Sequence, residues 1–159
     1  QIKTLGGDGT GITISTTGNV GIGTTLPSYK LDVAGEAHAT SFPASSDARL
    51  KKNITKISNA LEKIDKINGV YFEWNSKYKQ LGRATNGTQI GLIAQDVEKE
   101  FPELVTAWGN DSYRAVDYGR FTAVLLEAIK EQQKEIQKLI EDNKQLRTEM
   151  NNMKLIVMP

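Results

Sequence analysis

The C-terminal end sets the tightest limit on what this chain can become. From about Phe121 to Val157, apolar side chains return with a period of seven. With Ile129 at an a position, the a series is Thr122, Ile129, Ile136, Asn143, Met150 and Val157. The d series is Leu125, Gln132, Leu139, Leu146 and Met153. Between them lie "KEQQKE", "EDNK" and "RTE", charged and free of Gly and Pro. A repeat sustained over this length predicts a coiled coil. The alternative is a single amphipathic helix folded onto its own domain. At about 1.5 Å per residue that helix would exceed about 50 Å, longer than the small domain beside it. Self-association is therefore the expectation. Gln132 and Asn143 weaken the seam and would help fix register and strand number, but the seam itself does not choose between two strands and three.

The N-terminal end has the opposite character. In residues 1 to about 42, Ile12, Ile14, Val20, Ile22, Leu31 and Val33 alternate with small or polar residues, and Gly-rich turns separate the runs. This pattern predicts short β-strands with little side-chain volume. Such strands cannot bury enough apolar area alone and need partner chains or further β-structure upstream. A flexible Gly/Thr linker is the competing reading, and the regular alternation counts against it. "GDGTG" is a turn rather than a phosphate loop, since no Lys-Ser/Thr follows it. The chain opens on Gln1, not Met, and reads as a piece of a longer protein.

Residues 46 to about 120 hold the one globular unit, of α+β class. "ITKISNALEKIDKI" spaces Ile54, Ile57, Leu61, Ile64 and Ile67 by three and four, which predicts an amphipathic helix ended by Asn68-Gly69. "GVYFEW" alternates Val70, Phe72 and Trp74 against Tyr71 and Glu73, a strand. "SKYKQLGRATNGT" reads as an exposed loop or hairpin tip turning at Asn86-Gly87. "QIGLIAQDVEKEFPELV" begins as a strand and becomes a short helix before Pro102, and "DSYRAVDY" is a last strand. The expected organisation is a Gly-rich β stem over 1–45, a small α+β domain over 46–120 and a coiled-coil helix over 121–159.

Several functions are disfavoured by composition. The chain of 159 residues has no cysteine and one histidine, His38. Thiolate chemistry and His-rich metal sites are absent, and no metal or cofactor is expected. Lys plus Arg (20) nearly balances Asp plus Glu (19), so nucleic acid is not an expected partner. No apolar run approaches the roughly 20 residues of a membrane span. His38 reads as a surface residue, Asp96 and Glu98 as solvated helix-start carboxylates, and Trp74 and Trp108 as core or interface aromatics.

The segments "SDARLKKNI", "LEKIDKINGVYFEW", "GLIAQDVEKEFPELV" and "AVDYGRFTAVLLEAIKEQQ" follow one another over residues 46 to about 133. In this order they resemble the C-terminal intramolecular chaperone domain of phage endosialidase tailspikes, which also occurs on tail fibres, neck appendages and the myelin regulatory factor. "GNVGIGTTLPSYKLDVAGEAHATSF" is more loosely similar to the β-structured stem preceding that domain. The resemblance implies a homotrimer that brings three upstream β-rich fibre chains into register and then cuts itself off through a Ser-Lys dyad. Matched residue by residue, the nucleophile would be Ser46 and the base Lys51, with Asp47 and Arg49 between them. The bond cut would be Ser45–Ser46. It also implies a place in the virion, with assembly in the host cytoplasm.

The chemistry is coherent on its own terms. A serine hydroxyl needs a base to take its proton, and a neutral amine serves. Burial or nearby positive charge must favour that neutral form, and Arg49 and Lys52 flank Lys51 in sequence. Positions five apart point to different sides of an α-helix. Ser46 and Lys51 can meet only if the backbone turns between them or if they meet across a subunit interface. Two other readings remain: a structural trimerisation module that never cuts, and a nucleic-acid-binding regulator, which the balanced charge disfavours.

Overall fold

A computed structural model of the chain describes residues 11–83, 85–109 and 111–157, with side chains of the last helix described as far as Lys154. The seam side chain of Val157 and, but for Gly11, the "GDGTG" turn lie outside the described residues. The fold is α+β with small sheets and a long C-terminal helix. It divides into two compact units that do not follow chain order.

The first unit comprises the described parts of Gln1–Ile54, Gly69–Ile93 and Ala107–Ala115. It opens with a three-stranded sheet of β1 (Ile12–Ile14), β2 (Val20–Ile22) and β3 (Leu31–Val33), in the order β1-β2-β3. β1 and β2 are antiparallel, and β2 and β3 are parallel, with Thr13 opposite Gly21 and Gly21 opposite Asp32. Gly21 is required sterically: a Cβ there would stand 2.4 Å from the Thr24 carbonyl oxygen, where the chain folds back over the sheet. Ile12, Ile14, Ile22 and Leu31 are exposed on one face, as expected of strands that lack a partner layer.

The same unit holds an antiparallel pair, β4 (Gly69–Phe72) with β5 (Gln89–Leu92), in which Tyr71 faces Ile90. The connection between them is more ordered than a loop. It contains helix α2 (Ser76–Gln80), N-capped by Asn75, whose side chain accepts the Tyr78 N–H at 3.0 Å. Trp74 stacks on Tyr78 at 3.9 Å, and Tyr78 meets Trp108 edge-on at 6.2 Å. The two tryptophans thus belong to one aromatic cluster.

The second unit comprises Thr55–Asn68, Ala94–Thr106 and the chain from Val116 onward. Its helices are α1 (Ala60–Ile64), α3 (Ala94–Glu100) and α4 (Tyr118–Val157), with a 3-10 turn at Pro102–Leu104. A further strand pair is formed by β6 (Val105–Trp108) and β7 (Tyr113–Val116). Ala60 and Val97 are fully buried here, with Phe101, Leu104, Phe121, Val124 and Ala128 around them. Phe101 and Phe121 meet edge-on at 6.3 Å.

The helix expected over 54–67 shrinks to Ala60–Ile64. Asn59 sits in the left-handed region at φ 54°, ψ 34°, which no right-handed helix continues through. Its side chain makes no cap, and Glu131 of α4 instead accepts the Leu61 N–H at 2.9 Å. The three-and-four spacing of isoleucines is therefore shared between an extended run and a short helix. Ile57 is half-buried, whereas Ile54 is exposed.

Helix α4 begins where Asp117 accepts the Arg120 N–H at 2.9 Å. It carries two stripes. Phe121, Val124 and Ala128 turn inward onto their own unit, while Leu125, Ile129, Ile136, Leu139, Leu146, Met150 and Met153 of the heptad seam are exposed. The seam residue Asn143 donates back to the Leu139 carbonyl at 2.8 Å. Among the described residues, no helix is long and apolar enough to cross a membrane.

Candidate active site

The segment around Ser46 is short of apolar anchors, and every residue from Gly35 to Lys56 is exposed. His38 lies in this run, as a surface residue. Local hydrogen bonds shape its turn. Asp47, with φ −64° and ψ 129°, caps a single 3-10 turn over Ala48–Leu50 by accepting the Arg49 N–H at 2.9 Å. The Leu50 N–H reaches the Asp47 carbonyl at 3.1 Å, and the Lys51 N–H reaches that of Ala48 at 3.1 Å. The chain then returns to an extended conformation at Lys51.

A single 3-10 turn set between two extended residues is not a continuous α-helix, so positions five apart are not held on different sides. The structure resolves the spacing problem in this way. Lys51 Nζ donates to Ser46 Oγ at 2.8 Å within one chain. Of the two routes open in the sequence, a backbone turn or a subunit interface, the backbone turn makes the contact.

Arg49 is paired with Asp47. Its guanidinium grips Asp47, Nη2 to Oδ2 at 2.7 Å and Nε to both carboxylate oxygens. That hydrogen bond, with the Arg49 backbone N–H behind it, holds the Asp47 carboxyl below the usual carboxylate range, and Asp47 in turn raises Arg49. The two charges offset each other, and the pair stands in solvent, where it adds little stability. Asp47 and Arg49 therefore act as the clasp of the turn.

In the observed arrangement the amine is the donor and the hydroxyl the acceptor, whereas activating the serine needs the proton to move the other way. Among the described residues nothing buries the pair: Ser46 and Lys51 are both exposed. Three apolar side chains near it in sequence, Phe42, Leu50 and Ile54, are themselves exposed. The other carboxylate candidates lie elsewhere: Asp96, in the first turn of α3, pairs with Lys99 at 2.8 Å, and Glu98 lies on the same helix. Among the described residues, no His/Cys/Asp/Glu group is placed to hold a metal ion.

One polar constellation escaped the sequence reading. Asp32, only 3% exposed, pairs with Arg83 at 2.7 Å although 51 positions separate them. No local pattern links such distant residues.

Comparison with known proteins adds an independent line. Residues 46–106 match a peptidase family described as chaperone of endosialidase. The chain is 40% identical over 60 residues to the long tail fiber protein Gp37 of Enterobacteria phage K3, covering 38% of this chain and 5% of that protein. It is 32% identical over 108 residues to Gp37 of Enterobacteria phage M1, covering 66% and 42%. To Gp37 of Salmonella phage S16 it is 30% identical over 115 residues, covering 71% and 15%. The chain thus spans less than half the length of each of these relatives.

Proposed function

We propose that the chain, whose residues 46–106 match a family described as chaperone of endosialidase, is the assembly end of a phage tail fibre, which trimerises, aligns three β-rich stems and then severs itself at Ser45–Ser46. The similarity to long tail fiber proteins supports the chaperone role in fibre assembly and a place in the virion. The observation that carries the cleavage reading is the Lys51 Nζ to Ser46 Oγ hydrogen bond at 2.8 Å, in the segment that opens the family match.

In this mechanism the neutral Lys51 amine accepts the Ser46 hydroxyl proton as Oγ adds to the Ser45 carbonyl carbon. The peptide C–N bond breaks, and Lys51 returns the proton to the departing Ser46 nitrogen. Water then hydrolyses the Ser45 ester, leaving Ser45 as a carboxylate and Ser46 as a new N-terminus. Each chain turns over once. Assembly supplies what one chain lacks. The exposed seam of α4 gathers three copies, and packing over Phe42, Leu50 and Ile54 removes water from the dyad, favouring the neutral amine.

The tail-fibre relatives also fit a second reading, in which the chain is a permanent trimerisation module that does not cut. A denaturing gel of the expressed chain separates the two. Autoproteolysis gives two bands, for residues 1–45 and 46–159, that collapse to one in Ser46→Ala. A single full-length band from the unaltered chain supports the structural module.

A further inference from the structure

The N-terminal sheet is polar on the side it buries. Thr13, Gly21 and Asp32 stand opposite one another across β1, β2 and β3 and share one face. Thr13 and Asp32 are buried, while the flanking isoleucines and Leu31 point out to solvent. Burying a carboxylate is costly unless it is paired and hydrogen-bonded, so this inversion needs a reason. Both Asp32 oxygens are engaged: Oδ2 accepts the Ser28 N–H at 2.8 Å, and Oδ1 accepts Nη2 of Arg83 at 2.7 Å.

Arg83 is held ready for this contact. It follows the end of α2, where Gly82 turns through φ 69°, and its guanidinium lies over the Trp108 ring at 5.1 Å from the centroid. Around the pair the fit is thin. A cleft of about 450 Å³ remains between Thr24 and Leu26 on one side and Gln80 and Tyr113 on the other. Among the described residues, this ion pair links the sheet to the rest of its unit.

We propose that Arg83, backed by Trp108, is a receptor for the chain's own N-terminal sheet and reads its strand register through the Asp32 carboxylate. Side chains alternate along a strand, so a slip of one residue in β3 presents Leu31 or Val33 to Arg83 and turns Asp32 to the opposite face. A slipped sheet leaves the guanidinium buried without its partner and does not dock. The contact does not run through the Ser45–Ser46 bond, and it joins the two pieces that cutting there would produce. Its use as a check before release rests on the chaperone reading, whereas the contact itself does not.

The test is hydrogen exchange followed by mass spectrometry on the full chain carrying Ser46→Ala, with its full length confirmed by intact mass. Peptides over 19–34 report on the sheet, and those over 94–106 serve as the control. Arg83→Gln and Asp32→Asn should each speed exchange over 19–34 by at least about tenfold and leave 94–106 unchanged. The double variant should be no faster than the faster single one, because each substitution removes the same contact. Arg83→Lys, which keeps a charge but loses the planar fork, should fall between. The proposal is overturned if Arg83→Gln exchanges like the parent, if the two effects add, or if 94–106 accelerates equally.

Discussion

Asp47 illustrates how one side chain can set the meeting of two others without touching either. Its carboxylate caps the 3-10 turn and clasps Arg49, and the turn brings Lys51 to Ser46. Asp47→Ala removes a cap worth about 1 kcal/mol. It should slow cleavage by roughly five- to tenfold without abolishing it, measured as the rate at which the 46–159 fragment appears. Lys51→Arg is the sharper substitution. It retains charge and donors, but a guanidinium does not give up its proton at ordinary pH and cannot serve as a base. Full-length chain should persist on a denaturing gel while the circular dichroism spectrum is unchanged, and a variant that still cuts would remove Lys51 from the role of base. At this scale the residue types of the motif were legible in the sequence. Their meeting was not, because a five-residue spacing fits no face of an α-helix and a single 3-10 turn leaves no periodic trace. Arg83 with Asp32 was harder still, since only the folded chain brings them together.

At the level of elements, strong periodicity was readable and mixed periodicity misled. β4, β5, α3 and α4 appear close to their expected places. The run from Ile54 to Ile67 keeps helical spacing yet changes conformation at Asn59, and β6 at Val105–Trp108 carries too short an alternation to announce itself. Charge, more than apolar spacing, ties the extended part of that run to α4. Lys56 reaches Glu127 at 3.1 Å, and Lys130 reaches it at 2.7 Å. The hydrogen bond from Lys130, and next the Lys56 ammonium, hold the Glu127 carboxyl below its ordinary value of 4.5. A depressed carboxyl stabilises the fold above its unfolded value and loses that contribution as pH falls through the folded one. Protease cleavage after Lys56 should therefore stay slow above about pH 4.5 and quicken below it, assayed with an acid-tolerant enzyme. Glu127→Gln should show the faster cleavage already at pH 7. Equal rates in Glu127→Gln and the parent at pH 7 would show that the pair does not hold this run.

Across the whole molecule, α4 divides its labour along its length. Its first turns belong to the core through Phe121, Val124 and Ala128, and from there on it offers the exposed heptad seam. The sequence revealed the outward stripe but not the inward one, because the seven-residue repeat runs through both. Truncation after Gln133 keeps the core stripe and removes the seam from Ile136 onward. The shortened chain should stay folded, scatter light as a monomer and fail to cut. A truncated chain that remains trimeric would place the association elsewhere, on the exposed faces of the sheets. If assembly completes the dyad, the cleavage rate after dilution from denaturant depends on chain concentration. The predicted result is a rate that climbs with concentration and levels off where light scattering shows trimers. Cleavage at one fixed rate at every concentration, or no cleavage even where trimers are fully formed, would contradict it.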